Sequence, residues 1–135
     1  MPLRLKRPTL WALVGLVVLG QLGCDGPAES GASGLLRGQV VAGPSCPVVS
    51  EPPDPDCADR PVAGALVIIR VESGDEVDRR ESNADGRFET SLPPGRYTLI
   101  PQPVQGLLGT APVQQFAITA GEPTELVVPY DTGIR

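Results

Sequence analysis

The sequence predicts an all-β fold, a seven-stranded sandwich built as one domain, and three observations predict it. Short runs rich in Val, Ile, Leu and Thr alternate with turn signals from residue 35 onward, at the spacing of a sandwich. Glycine and proline supply 16 residues each of the 135, a density that suits frequent turns and breaks long helices. No helical stripe of useful length interrupts the pattern. A hydrophobic fraction of 41% excludes wholesale disorder. Histidine is absent, which removes the commonest general base near neutral pH and the commonest metal ligand, so histidine triads and His-zinc sites are excluded.

The chain opens with MPLRLKRP, which carries Arg4, Lys6 and Arg7 and no acid. The apolar run from Thr9 to Leu19 follows, and its 11 residues fall short of the roughly 20 that a membrane-spanning helix needs. A basic head and a short apolar stretch make residues 1–23 an export signal. GQLG then precedes Cys24, and a lone cysteine there resembles the lipobox of bacterial lipoproteins. Gly23 is the small residue before the cut, whereas Gln21 stands where that family usually has leucine. The resemblance implies that Cys24 becomes the lipidated first residue of an exported protein held at the cell envelope, with the membrane as its first partner. The alternative is an ordinary secretory signal cut near Gly23, which leaves Cys24 an odd thiol. Residues 24–34 are small and polar and read as a flexible tether.

Residues 24–135 carry 16 acids against eight arginines, a net charge of −8. The only lysine, Lys6, and the only tryptophan, Trp11, belong to the leader. So acidic a body is unsuited to binding nucleic acid or anionic lipid through charge.

The sandwich is expected over residues 35–131. LLRGQVVA (35–42) is the first strand, and ALVIIRV (65–71), the most apolar run, belongs at the centre of its sheet. EVDRRES (76–82) is polar enough for an edge, with charges pairing across strands. NADG (83–86) is a turn in which Gly86 supplies a positive φ, and RFETSL (87–92) returns as a strand. Pro93-Pro94-Gly95 turns into RYTLIP, where Tyr97 and Leu99 share a face. PVQQFAI (112–118) and TELVVPY (124–130) are joined by TAGEP, the length of a hairpin. Seven strands over about a hundred residues match an immunoglobulin-like sandwich in size.

Gly38-Gln39-Val40, PVAGALV (61–67), ADGRF (84–88), LPPGRYTL (92–99) and AGEPTELVV (120–128) occur in that order. They resemble the carboxypeptidase regulatory-like domain, a transthyretin-like (prealbumin-like) sandwich related to collagen-adhesin B-type repeats. The resemblance runs from about residue 36 to 130. It implies a fold and no reaction, and an accessory, stalk or interaction role. Some collagen-adhesin-like sandwiches brace themselves with a lysine-to-asparagine isopeptide bond, which residues 24–135 cannot form because they hold no lysine.

The chain departs from that pattern in a long insertion at 43–61, GPSCPVVSEPPDPDCADRP, between the first two strands. Cys46 and Cys57 bracket ten residues, and an oxidising compartment favours a disulfide between them. Closing such a loop stabilises a fold by roughly 2.5 to 3 kcal/mol in the chain-entropy treatment. Asp54, Asp56 and Asp59 lie on the same loop and offer hard oxygen ligands, but the EF-hand pattern is absent, so they read as a solvated acidic loop with calcium as the alternative. In VQGLLGTAP (104–112), Leu107 and Leu108 read either as a partner contact or as a cap folded over the open end of the core, the latter being preferred. Tyr130 is the candidate exposed aromatic platform.

No catalytic constellation and no cofactor motif emerges. The expected function is a non-enzymatic, lipid-anchored binding, scaffold or accessory module with a protein or envelope-polymer partner. A lipoprotein that binds a small molecule or carbohydrate is the alternative.

Overall fold

The computed structural model describes residues 32–134; the expected export signal, Cys24 and most of the expected tether lie outside them. Two four-stranded sheets form the sandwich. The first holds β1 (Gly34–Gly43), β2 (Arg60–Pro61), β5 (Arg87–Leu92) and β8 (Pro123–Asp131). The second runs in the order β4 (Glu76–Glu81), β3 (Leu66–Val71), β6 (Gly95–Pro101), β7 (Gln114–Ile118). The predicted all-β sandwich and its seven main strands are therefore present, with β2 as a two-residue addition and one 3₁₀ turn at Pro55–Cys57.

β1 is the spine of the first sheet. Its first part pairs antiparallel with β5, Val41 and Ala42 pair with β2, and its other edge runs parallel to β8 from Leu35 to Gly43. Period-two alternation buries Leu36, Val40 and Ala42 from β1 and Phe88, Thr90 and Leu92 from β5. Val67 and Ile69 of β3 and Leu99 of β6 meet them from the opposite sheet. β3 is central and the charged β4 is an edge, as the hydropathy of each run predicts.

Gly38 faces Phe88 across the β1–β5 ladder, and a Cβ on Gly38 would stand 2.0 Å from the Phe88 ring. A glycine is required there so that the ring can lie over the backbone. Tyr97 and Phe116 stack within the core with centroids 5.6 Å apart.

Side chains close both seams between the sheets. On one side the Thr90 hydroxyl donates to the Asp78 carboxylate, and Arg80 donates to Asp78 Oδ2 (3.0 Å) and to Thr90 Oγ1 (3.2 Å). On the other, Gln114 Nε2 donates to the Val127 carbonyl (2.7 Å) and Thr124 Oγ1 to the Ala117 carbonyl (3.2 Å). Pro129 lies two residues beyond Val127 on the same strand and has no N–H to offer that edge.

One expectation is corrected and one is refined. The 119–122 link is no hairpin, because β7 and β8 lie in different sheets and β8 pairs with β1 instead. The close ion pairs of β4 form along the strand, Glu76 with Arg79 and Asp78 with Arg80, while across the ladder Arg70 stands opposite Glu76 as its weaker partner. A bulge opposite Ile69 and Arg70 skips Val77, which brings Glu76 and Arg79 to one face.

Candidate functional site

Parallel strands end together. Because β1 and β8 run parallel, the insertion that follows Gly43 and the tail that follows Asp131 leave the sheet at the same pole. The Thr132 amide donates to the Gly43 carbonyl (3.1 Å) and its hydroxyl to the Pro44 carbonyl (2.6 Å). The β6–β7 loop joins them there, with the Leu108 amide donating to the Asp131 carbonyl at 2.8 Å. At the opposite pole the chain enters at Ser33, whose carbonyl accepts from the Gly121 amide (3.3 Å).

The insertion is tied internally. Cys46 and Cys57 form the expected disulfide, with Cα atoms 5.2 Å apart. Ser45 Oγ donates to the Ala58 carbonyl (2.9 Å), and the Asp54 carboxylate caps the 3₁₀ turn by accepting from the Asp56 amide (2.9 Å). Asp59 packs against the end of β1, where a Cβ on Gly43 would stand 1.8 Å from its carboxylate oxygen. Asp54 and Asp59 are thus held in separate structural tasks beside the exposed Asp56, and no group of three or more metal-ligating side chains forms among the described residues.

The insertion presents two large apolar side chains to solvent among its exposed carboxylates. Val48 is 72% exposed and Val49 94%, beside a groove of about 280 Å³ walled by Pro44, Cys46, Pro53, Pro55 and Cys57. Asp54 lines the groove, Glu51, Asp56 and Asp59 lie on the same loop with a single cation, Arg60, and the three salt bridges among the described residues all lie elsewhere.

The other candidates divide. Leu107 packs partly against the core while Leu108 is 58% exposed, so the loop both caps the sandwich end and shows one side chain at its tip. Tyr130 is no platform: it is buried, and its hydroxyl donates to the Gln102 carbonyl at 2.6 Å. Its alternation with Val128 places both on the core face, a period-two signal present in the sequence. Phe88, Tyr97 and Phe116 are buried as well, which leaves no exposed ring for a sugar among the described residues.

Two further depressions lie on the outer sheet faces. One of about 430 Å³ crosses β8, β1 and β5 between Arg37, Glu89 and Glu125, and one of about 360 Å³ follows β6 and β7 past Arg96 and Gln115. Glu76 is held below its ordinary range by the hydrogen bond from Arg79. Burial pushes Asp78 up, but the hydrogen bonds from Thr90, Arg80 and the Arg79 amide together outweigh it and leave the carboxyl lowered.

The sandwich geometry recurs in known proteins. A minor pilin of Streptococcus agalactiae superposes with a TM-score of 0.57 at 16% identity, over 74% of this chain and 44% of the pilin. The shaft pilin SpaA of Lactobacillus rhamnosus GG gives 0.56 at 8% identity over 73% of this chain and 50% of the pilin. The fold is that of these pilin domains. The TIE protein of Bacillus anthracis also matches, with a TM-score of 0.56 at 22% identity, over 74% of this chain and 17% of that protein. The chain spans half or less of the length of each of these structures. No protein-family model matches the chain, and no curated protein matches it in sequence.

Proposed function

We propose that this chain is a non-enzymatic, lipid-anchored module of the bacterial envelope that holds a partner at the pole formed by the insertion, the β6–β7 loop and the tail. The parallel pairing of β1 with β8 carries this reading, since it gathers three exposed segments at the end opposite the chain's entry. The basic head, short apolar run and Cys24 support an anchor at that entry side. A Gly-rich tether over the ten residues 25–34 would reach roughly 15 to 20 Å. The length of β1 adds about 30 Å. The pole then stands clear of the membrane surface. Pilin domains, which share the sandwich, support a role in surface assembly or scaffolding in place of catalysis.

Affinity capture from envelope extracts tests the reading, comparing the intact protein with one in which a short turn replaces residues 44–59. The replacement loses a specific partner that the intact protein retains; an unchanged profile returns function to the sheet faces. Mass spectrometry of the mature N-terminus tests the anchor, for which Cys24 carries a lipid; an unmodified Cys24 contradicts it.

A further inference from the structure

We propose that the partner's contacting element is a cationic polypeptide segment bearing aliphatic side chains, seated on the Val48–Val49 groove; this rests on the polar placement proposed above. Val48 and Val49 are the most exposed large hydrophobic residues described, and they sit on a loop already closed by a disulfide. The ordering cost that usually opposes loop binding is largely met before a partner arrives. Covering the two valines removes apolar surface from water, and the groove of about 280 Å³ accepts a side chain of aliphatic size.

Charge selects the class of occupant. Asp54 stands at the rim of the groove, and residues 44–60 carry four carboxylates against one arginine, which makes the loop around it negative in a body whose net charge is −8 over residues 24–135. A second copy of this chain would set two such rims against each other, and an anionic lipid surface or nucleic acid would be repelled likewise. The carboxylates do not gather into a cation site. A basic segment meets the rim, and its aliphatic residues meet the valines. The β6–β7 loop alongside carries no charged side chain and adds exposed Leu108.

Nuclear magnetic resonance titration of the mature protein with three short synthetic peptides, composed of lysine, leucine and glycine, of lysine, serine and glycine, and of glutamate, leucine and glycine, tests the proposal. The lysine–leucine peptide shifts the amides of residues 46–57 and 107–108 and binds about tenfold more tightly than either control. Raising salt to about 1 M weakens it about tenfold, because the rim charges are then screened within a few ångströms. Val48→Ser with Val49→Ser removes the preference while leaving the remaining amide spectrum in place, both side chains being solvent-exposed. Equal binding of all three peptides, shifts spread over the outer sheet faces, an unaffected double variant, or equal binding to anionic vesicles overturns the proposal. If the peptides fail while replacement of residues 44–59 still abolishes capture of the envelope partner, the partner chemistry is wrong and the polar placement stands.

Discussion

The hydroxyl of Thr132 donates to the carbonyl of Pro44 across 2.6 Å, and the two residues are 88 positions apart in the chain. One is the first residue after β8 and the other the first after β1, so the bond fastens the tail to the root of the insertion. Thr132→Val keeps the shape and removes the donor. The loss of one such bond costs about 0.5 to 1.5 kcal/mol. Its expected signature is local: hydrogen exchange at the Thr132 and Leu108 amides, which donate to Gly43 and Asp131, speeds up while core amides are unchanged.

The disulfide is expected to support the whole domain as well as its loop. Peptide mapping of the unreduced protein finds Cys46 joined to Cys57. Replacing both with serine lowers stability by about 2 to 3 kcal/mol, a fall of about 10 to 20 °C in thermal midpoint. A midpoint that does not move would show that the insertion is energetically separate from the sandwich.

Gly38→Ala is expected to be far more harmful than an exposed-strand substitution, since its methyl would meet the buried Phe88 ring at 2.0 Å. Overpacking of this kind costs about 1 to 3 kcal/mol. Combining it with Phe88→Leu should recover part of the loss, giving a non-additive cycle by denaturant titration. Simple additivity would mean that ring and glycine are not coupled.

Asp78 gives a pH dependence of fixed sign. Its carboxyl is lowered in the folded protein from a reference value of 3.8, so it stabilises the fold above that value and the contribution fades as pH falls through the folded pKa. The stability difference between the wild type and Asp78→Asn is expected to be full near pH 6 and to shrink below about pH 4. Thr90→Val, which removes the donor from the opposite sheet, should reduce the same acid-sensitive difference. A pH-independent difference between the proteins contradicts this assignment.

Much of the fold was legible because each strand carries its own period-two signal. The alternation in RFETSL separates Phe88, Thr90 and Leu92 from the exposed Arg87, Glu89 and Ser91 without any knowledge of neighbours. Pairing was less legible. Residues 119–122 have the turn chemistry of a hairpin, with Gly121 at φ 74°, but the same turn also passes a chain from one sheet to the other. Whether β8 continues beside β7 or crosses to β1 depends on contacts some ninety residues away. The pole was therefore hidden in sequence, although both of its loops were singled out. Tyr130 alternates with Val128, and that period-two signal places it in the core, against the surface role expected of it.

Site-specific photocrosslinking in the producing cell asks the decisive question about the pole. A photoreactive residue placed at Val49 or Leu108 is compared with one at Glu89 or Gln115, exposed positions on the outer faces of the two sheets. One common partner adduct forming from positions 49 and 108, and none from 89 or 115, is the expected result. Adducts from position 89 or 115 with none from 49 would contradict it and place the working surface on the sheets.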